Sequence, residues 1–478
     1  RWAVHERADR RKQPPHRRCS LLHTTKHPRL VRYTETELRG HILDYMEQTY
    51  KTLEEKLSAI PKVYARYNEK RYAELKDQWD YSRHGVMNEA HRPDDRVMVK
   101  DEEVDINGRR TGAVYETKKV NRIASSLEQL IVEIHTAFAM GLPPNLQAEA
   151  RTKDEKNMLD LIRETEIRNR IRFINQRAMR SVLSETIVAE YWWSVKDPEF
   201  YEGKDYARGA TSRLRCELWS PFNGDKIIPI KDTYGDLVAF YRFYSVKVDG
   251  KEVQKLMQID DTYIYTYEDM QGKGWVLLKQ EPHGFEKIPV VYMEMKQALC
   301  DRIQSKRKRI EELESNYADC INDNFFPKVL VRGSVLGIQK SGKTQTIQMT
   351  GNEADVSYLT WDQSTTAAEG ELARLVDDCF TLTMTPRINP KDLQGMGSAL
   401  SGVAFKYVFM GAHIAVRKHE EVVGEYLARR YNFLKHAIAL QVPAVSAGKS
   451  LRLDPVLVPF TIEASTEDEK SEGEKPKE

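Results

Sequence analysis

Apolar and polar positions change their spacing several times along the chain, and each change marks a predicted element. Apolar residues recur at intervals of three and four over four N-terminal stretches, which predicts helices over 34–57, 63–79, 118–140 and 153–194. The last of these closes on Tyr191, Trp192 and Trp193, where a Trp pair is more typical of a core than of a ligand stack. The polar, turn-rich stretch 83–112 indicates a loop or linker.

From residue 212 the apolar positions recur every second residue, which is typical of strands. Six such runs follow: LRCELW, KIIPIK, LVAFYRFYSVKV, KLMQIDDTYIYTY, GWVLLK and KIPVVYME. Turns that contain glycine separate them, so the runs predict an antiparallel sheet region. Asp260 and Asp261 lie among these strands without a nearby His or third carboxylate, which favours a solvated turn over a metal site.

A helix, a β module and a second helix come next. Helical spacing of apolar residues predicts helices over 297–325 and 365–384, and alternating runs between them predict strands within 326–361. Arg302, Lys306 and Arg309 stand on another face of the first helix. That face is either simply solvated or turned toward DNA.

The stretch 386–402 reads PRINPKDLQGMGSALSG and holds two prolines and several glycines, which predicts a mobile loop. It leads into a stretch without proline that is apolar on almost every side at first and then narrows to one stripe. Such a pattern predicts a helix over 402–439, roughly 55 Å long at 1.5 Å per residue. After Pro443 the chain is predicted to be loop-like.

Composition narrows the class of protein. A net charge of +2 gives no global attraction to nucleic acid, although the first 32 residues are strongly basic and 463–478 are mostly acidic. The basic stretch is either a solvated tail or an arm that binds nucleic acid or an acidic partner. Five scattered cysteines without a CxxC pattern indicate a reducing compartment and neither a disulfide framework nor a zinc site. No apolar run approaches the length of a membrane span.

Residues 337–344 read GIQKSGKT, a full match to the phosphate-binding pattern G-x-x-x-x-G-K-[ST]. That chemistry requires a helix that begins at Lys343, with its N-terminal dipole facing the phosphates and Thr344 on Mg²⁺. The residues that follow alternate between polar and apolar and contain Gly351, which predicts a strand. A Gly-Lys turn between two strands explains the same letters and is the favoured interpretation. No other catalytic set of residues emerges.

Four stretches, in this order, resemble the portal proteins of tailed bacteriophages of the Gram-positive siphophage type. They are NRIASSLEQLIVEIHTAFAMGLPP (121–144), HGFEKIPVVYMEM (283–295), the helix–β–helix of 297–384, and SALSGVAFKYVFMG (398–411) at the start of the long helix. Phe285-Glu286 departs from the family's glycine order. The resemblance covers roughly 120 to 440 and does not account for the basic N-terminal arm.

The resemblance implies an α+β subunit. The charge pattern predicts a basic disordered arm (1–33). The parts that follow are expected to be N-terminal helices and linker (34–119), a wing of helices and then an antiparallel sheet (120–295), a stem helix (296–325), a small α/β clip (326–361), a second stem helix (362–385), a tunnel loop (386–401), a long helix (402–440) and a short crown with an acidic tail (441–478). The resemblance also implies a ring of usually twelve subunits at one vertex of the virion capsid, assembled in the host cytoplasm.

The implied partners are double-stranded DNA in the axial channel, a separate terminase, the major capsid protein, and head-completion and tail adaptor proteins. The resemblance implies no catalytic residue, cofactor, metal or membrane. Sparse charge in the loop suits DNA that must slide, because a dense basic patch would hold the duplex. Candidate channel residues in the tunnel loop are Arg387, Lys391, Gln394 and Ser398.

Arg302, Lys306 and Arg309 are candidates for a channel-facing side of the stem. Lys340 and Lys343 in the clip are expected to meet partner proteins or solvent. Two alternatives stay open at this point: a P-loop NTPase that uses Lys343 and Thr344, and a minor capsid or scaffold protein without a channel.

Overall fold

A computed structural model of the chain describes residues 69–100, 103–104, 110–232, 234–269, 274–324, 328–341, 344–359, 365–387 and 409–459. The helix predicted over 34–57 lies outside these ranges. Within them, the chain is a mixture of helices and sheets, which confirms the α+β class. No helix in the described ranges is long and apolar enough to cross a membrane.

Seven α-helices are described: α1 (Glu69–Trp79), α2 (Leu127–Met140), α3 (Lys153–Asn169), α4 (Ile171–Glu185), α5 (Gln304–Asn324), α6 (Thr365–Thr383) and α7 (Met410–Gln441). The strands are β1 (Asp95–Lys100), β2 (Glu103–Val104), β3 (Arg110–Thr111), β4 (Val114–Lys118), β5 (Asn145–Glu149), β6 (Ile187–Lys196), β7 (Ser212–Trp219), β8 (Lys226–Lys231), β9 (Leu237–Val248), β10 (Lys251–Ile259), β11 (Tyr263–Asp269), β12 (Trp275–Pro282), β13 (Val290–Glu294), β14 (Lys328–Ser341), β15 (Thr344–Leu359) and β16 (Arg452–Val456).

The main core lies between α7 and the helices and strands of the middle of the chain. Apolar side chains of α2, α3, α4 and α7 pack with one face of a three-stranded sheet in the order β13-β6-β7. The other face of that sheet packs against a five-stranded antiparallel sheet in the order β12-β11-β10-β9-β8. The antiparallel sheet region predicted from residue 212 onward is therefore confirmed, but as two sheets rather than one.

The helix–β–helix order predicted over 297–384 is confirmed. Helix α5 is followed by the two-stranded antiparallel hairpin β14–β15 and then by α6, which returns alongside α5. The alternating runs between the two helices form two long strands, in which Arg332 pairs with Asp355 and Ser334 with Thr350 across an irregularity. Helix α7 confirms the long helix from residue 410 to residue 441, 32 residues in all.

Two predicted helices are wrong in their bounds. The helix predicted over 118–140 starts only at Leu127, because residues 114–118 are strand β4. The helix predicted over 153–194 is broken at Arg170, in a left-handed conformation, and ends at Glu185, so that Trp192 lies on strand β6. Apolar runs of this length suit a buried strand as well as a buried helix, and pairing with β7 and β13 decides between them.

The predicted linker 83–112 and the predicted loop after Pro443 are both structured in part. Strand β1 pairs with β4, and β2 with β3, so the part of the predicted linker at 95–100, 103–104 and 110–111 is strand. Residues 443–450 form a 3-10 helix, and β16 pairs with β5. Val445 and Leu451 are buried in the main core, so this segment belongs to the body of the protein.

Candidate nucleic-acid interface and its supports

Helices α5 and α6 lie side by side and exchange ion pairs along their contact. Lys306 Nζ lies 2.6 Å from Asp378 Oδ2, and Arg309 Nε lies 3.1 Å from Glu371 Oε1. Farther along, the Tyr317 hydroxyl donates to Glu369 at 3.0 Å. These contacts are half-exposed or exposed, so each adds little stability, but together they fix the register of the two helices.

This pairing bears on the three residues proposed for a DNA-facing side of α5. Arg302 is exposed, just before α5, and lines a cavity of about 470 Å³ between α6, α7 and the segment 294–299. Lys306 and Arg309 are instead engaged by carboxylates of α6, and Arg309 also pairs with Glu312. Much of their positive charge is therefore balanced within the subunit, and the three residues do not form one unpaired basic stripe.

The opposite side of α5 is covered by an extended segment, residues 118–125, called the strap here. The acceptors on α5 are spaced four residues apart, and they bind strap residues that are two or three positions apart. Glu311 Oε1 accepts from Ser125 N (2.9 Å), Ser315 Oγ from Ile123 N (2.9 Å), and Asp319 Oδ1 from Asn121 N (2.8 Å), while Asp323 pairs with Lys118. Arg92 adds a 2.5 Å contact to Asp319.

A buried ionic cluster joins the start of α5 to α2 and to the 3-10 segment before the ribbon. Arg307 donates to Glu128 on α2 (3.1 Å) and to Glu311 (2.7 Å). Glu311 also contacts His84 Nδ1 at 2.5 Å. Burial raises the pKa of the Glu128 carboxyl above its usual range, and the Arg307 guanidinium opposes that rise. Because all four side chains are buried, the cluster locks the base of α5 to the body.

The predicted tunnel loop starts directly after α6, and its root is held by a second buried polar group. His135 Nδ1 on α2 lies 3.0 Å from His419 Nε2 on α7, and His135 Nε2 lies 2.9 Å from the Thr385 hydroxyl. The Thr385 hydroxyl in turn contacts that of Thr383 at 2.7 Å. Burial lowers the pKa of His135 to about 4 and that of His419 to about 3, so both rings are neutral at pH 7.

Only one of the four loop candidates lies in the described part of the chain. Arg387 pairs with Asp377 of α6 and stacks over the Phe380 ring at 5.7 Å. Lys391, Gln394 and Ser398 lie outside the described residues, and their placement at a channel stays a prediction.

Helix α7 is fixed to the sheet by a buried ion pair. Arg430 donates to both carboxylate oxygens of Glu190 on β6, from Nε at 2.9 Å and from Nη2 at 2.6 Å, and Nη1 donates to Asn175 on α4 at 2.7 Å. The Tyr426 hydroxyl and the Trp192 indole N–H also donate to Glu190, at 2.5 and 2.6 Å. Both charged side chains have 0% exposure, so the pair is dry and fully hydrogen-bonded.

The GIQKSGKT stretch lies at the tip of the β14–β15 hairpin. Ser341 pairs with Thr344, so the two residues between them connect antiparallel strands, as the hairpin interpretation predicts. Thr344 begins β15, and the helix that a phosphate-binding loop requires is replaced by a strand over 344–359. Lys340 lies on β14, and Lys343 lies outside the described residues. In the described ranges no group of three His, Cys, Asp or Glu side chains is placed to hold a metal ion.

Sequence patterns missed the buried clusters and the strap. His135 and His419, or Glu190 and Arg430, are separated by more than 200 positions, so spacing along the chain carries no signal of their contact. The strap had a signal: polar acceptors at 311, 315, 319 and 323 form one stripe of a helix. On a helix as charged as α5, such a stripe looks like an ordinary solvated face.

Comparison with known proteins gives a family match over most of the chain. The profile of the family described as "Phage portal protein, SPP1 Gp6-like" matches residues 50–439. No protein of curated function matches the chain. Among solved structures, the virion of a native gene transfer agent particle is similar at 11% identity and a TM-score of 0.33, over 69% of this chain and 78% of that one. The neck of an empty particle of the same kind is similar at 12% identity and a TM-score of 0.37, over 69% and 79%.

The profile match spans every described element from α1 to nearly the end of α7. It covers the α5–hairpin–α6–loop–α7 order on which the sequence resemblance was based. This chain belongs to the SPP1 Gp6-like family of phage portal proteins, which form the portal ring at a capsid vertex.

Proposed function

We propose that twelve copies of this chain form the portal ring, with double-stranded DNA passing through its axis during packaging and ejection. The observation that carries the proposal is the order of elements inside the family match. The β14–β15 hairpin connects the antiparallel helices α5 and α6 at one end. At the other end, α6 leads into the proline- and glycine-containing segment 386–402, which is followed by the long helix α7. This order suits a stem, a clip, a tunnel loop over 386–401 and a long helix that connects the channel to the wing.

The buried clusters support such a role, because a conduit needs rigid walls around a mobile constriction. Arg307 with Glu128 and Glu311 fixes the base of α5, and Arg430 with Glu190 fixes α7. The described residues on either side of the segment that contains the proposed loop, Arg387 and Met410, are exposed. The sequence of the loop carries few charges, which suits contact with sliding phosphates better than tight binding.

The proposed partners follow from this role. Terminase, the major capsid protein, and head-completion and tail adaptor proteins would dock on the ring, which would assemble in the host cytoplasm and remain in the virion. Lys340 and Lys343, near the tip of the hairpin, are proposed to face these proteins. We also propose that the chain itself is not an enzyme and that the energy for DNA movement comes from the separate terminase.

The first test is the shape and mass of the purified protein, from negative-stain images together with light scattering. Rings with a central hole and a mass near twelve subunits are expected. A protein that stays monomeric in the presence of capsid and scaffold proteins would overturn the proposal.

The second test separates the loop from the ring. Deletion of 394–398 is expected to leave ring mass unchanged and to impair DNA packaging or retention in an in vitro packaging assay. Loss of the ring itself would contradict a channel position for the loop. Lys343→Ala is expected to change no activity, and Mg²⁺-dependent ATP hydrolysis that this substitution abolishes would refute the non-enzymatic role.

A further inference from the structure

Helix α4 and the turn before it hold a run of arginines without any acidic residue. From 167 to 184 the sequence contains five arginines and neither Asp nor Glu. Two of the five are balanced within the subunit, because Arg168 pairs with Glu164 and Arg180 pairs with Glu133. The other three have no carboxylate partner among the described residues, and they leave this surface with an excess of positive charge.

These three arginines form one exposed surface together with Phe173, called the arginine face here. Arg172, Phe173 and Arg177 fall within about 140° of the helix circumference at 100° per residue, and Arg170 immediately precedes the helix. All four side chains are exposed. Arg172 Nη2 donates to the Gly141 carbonyl at 3.1 Å, and Arg177 Nε donates to the Phe173 carbonyl at 3.4 Å. Because these acceptors are uncharged, each guanidinium keeps its full charge and further N–H donors.

The chain comes close to the arginine face just before the acidic segment 463–478. Strand β16 ends at Val456, which pairs with Asn145 at the start of β5. Asn145 follows Gly141, the residue that Arg172 contacts, by four positions. Four residues and one strand spacing span at most about 20 Å, so β16 ends within that distance of the arginine face.

The acidic segment has the charge and the length to cover that face. It contains seven carboxylates and three lysines, and four of the carboxylates lie between 463 and 469, where no lysine occurs. From Val456 the chain can extend about 23 Å to Glu463 and about 43 Å to Glu469, at about 3.3 Å per residue. Several carboxylates can therefore reach the arginines of the same subunit.

The surface also offers apolar contacts in the same place. Leu142 and Phe173 are 36% and 55% exposed, and each is adjacent in sequence to one partner of the contact between α4 and the end of α2. Phe460 and Ile462 come directly before the carboxylates of the acidic segment. A chain that lays these two side chains over Leu142 and Phe173 brings its carboxylates to the arginines.

We propose that the acidic segment 463–478 of each subunit binds the arginine face of its own α4 and shields it from nucleic acid. Opposite charges supply the attraction, and the tether gives the segment an effective concentration in the millimolar range, which a separate molecule lacks. DNA phosphates bind the same kind of exposed guanidinium group, so the unshielded face would hold DNA without regard to sequence. The inference does not depend on the proposed ring, because both partners lie in one chain.

Photo-cross-linking of the full-length protein tests the contact directly. The photoreactive amino acid p-benzoylphenylalanine is placed at position 466, and mass spectrometry identifies the peptides joined to it after irradiation. Cross-links to 167–180 are expected, and in a mixture of ¹⁴N- and ¹⁵N-labelled chains both joined peptides are expected to carry the same isotope. Cross-links to the basic stretch 1–32 in place of 167–180, cross-links only between light and heavy chains, or no cross-link to 167–180 would overturn the inference.

Two triple variants identify the groups responsible. The first carries Arg170→Gln, Arg172→Gln and Arg177→Gln, and it is expected to lower the yield of the cross-link about threefold or more, as is a rise in salt from about 0.05 to 0.5 M. The control removes the same charge from exposed arginines in other elements and is expected to leave the yield unchanged: Arg96→Gln, Arg208→Gln and Arg374→Gln. Circular dichroism melting confirms that both variants fold. An unchanged yield in the first variant would overturn the inference.

Removal of the acidic segment tests the shielding. Deletion of 463–478 is expected to strengthen the binding of a non-specific DNA duplex about threefold or more at about 0.1 M salt, measured by fluorescence anisotropy. The same deletion in the first triple variant is expected to give no such gain, because the surface that it uncovers has lost its charge. An equal gain in both backgrounds, or no gain in either, would overturn the inference. A wild type that never forms rings would instead overturn the proposed function.

Discussion

Replacing Arg430 by methionine tests whether a buried ion pair holds the long helix in place. Arg430 gives up its hydrogen bonds to Glu190, Asn175 and Tyr426, and methionine fills most of its volume. The Glu190 carboxylate then keeps only the Trp192 and Tyr426 donors at a site with no exposure to water. Breaking one side of a buried pair in this way costs about 3 to 5 kcal/mol of the free energy of unfolding.

The assay is urea unfolding followed by tryptophan fluorescence, since Trp192 contacts the pair directly. The double variant Arg430→Met, Glu190→Gln removes both charges, so it is expected to lose about 1 to 3 kcal/mol less than the sum of the two single variants. The neighbouring exposed pair supplies the control: Arg429→Met, which frees Glu425, is expected to change the free energy of unfolding by under about 1 kcal/mol. A cost for Arg430→Met no larger than that of Arg429→Met, or strict additivity in the double variant, would refute the reasoning.

Three further predictions concern other parts of the body. His135 and His419 are neutral in the folded protein, whereas in the unfolded chain both imidazoles bind a proton below about pH 6.5. The free energy of unfolding is therefore highest above that pH and falls toward pH 4, by about 3 to 4 kcal/mol between pH 7 and 5. Urea unfolding at both pH values checks this, and a double His→Gln variant with an unchanged pH slope would contradict it. Gly448→Ala is expected to lower the free energy of unfolding by about 1 to 3 kcal/mol, since a new Cβ would lie 2.6 Å from the Asp154 carbonyl oxygen. The control, Gly370→Ala, places its Cβ in open space on α6 and is expected to raise the melting temperature instead. Asp319→Ala is expected to speed hydrogen exchange of the strap, and exchange equal to the wild type would show that the strap does not depend on this acceptor.

The elements that sequence analysis predicted well are those whose buried face is set by their own period. Helices α5, α6 and α7 each carry an apolar stripe, and the β14–β15 hairpin alternates around a Gly-Lys turn, so local pattern was sufficient. The apolar run that ends at Trp192 was misassigned, because its burial on both faces erases the period that distinguishes strand from helix.

The paired strands β1–β4 were missed for the opposite reason. Their described side chains are exposed on both faces, so charged and apolar residues occur on both faces and no alternation is visible. The site residues show a similar division. Arg302, Lys306 and Arg309 could be placed on one face from their spacing, but the carboxylate partners of Lys306 and Arg309 on α6 lie more than 60 positions away and could not be identified.

The strap also limits how the length of α5 can change. Its acceptors, from Glu311 to Asp323, follow one another at four-residue steps along the helix. An insertion of one residue between Ser315 and Asp319 would rotate everything beyond it by about 100° around the helix axis. Asp319 and Asp323 would then turn away from Asn121 and Lys118, and the hairpin beyond α5 would point in a different direction. Relatives that keep the strap are therefore expected to gain or lose residues in α5 only in steps close to whole helical turns, measurable as gaps of three, four or seven residues.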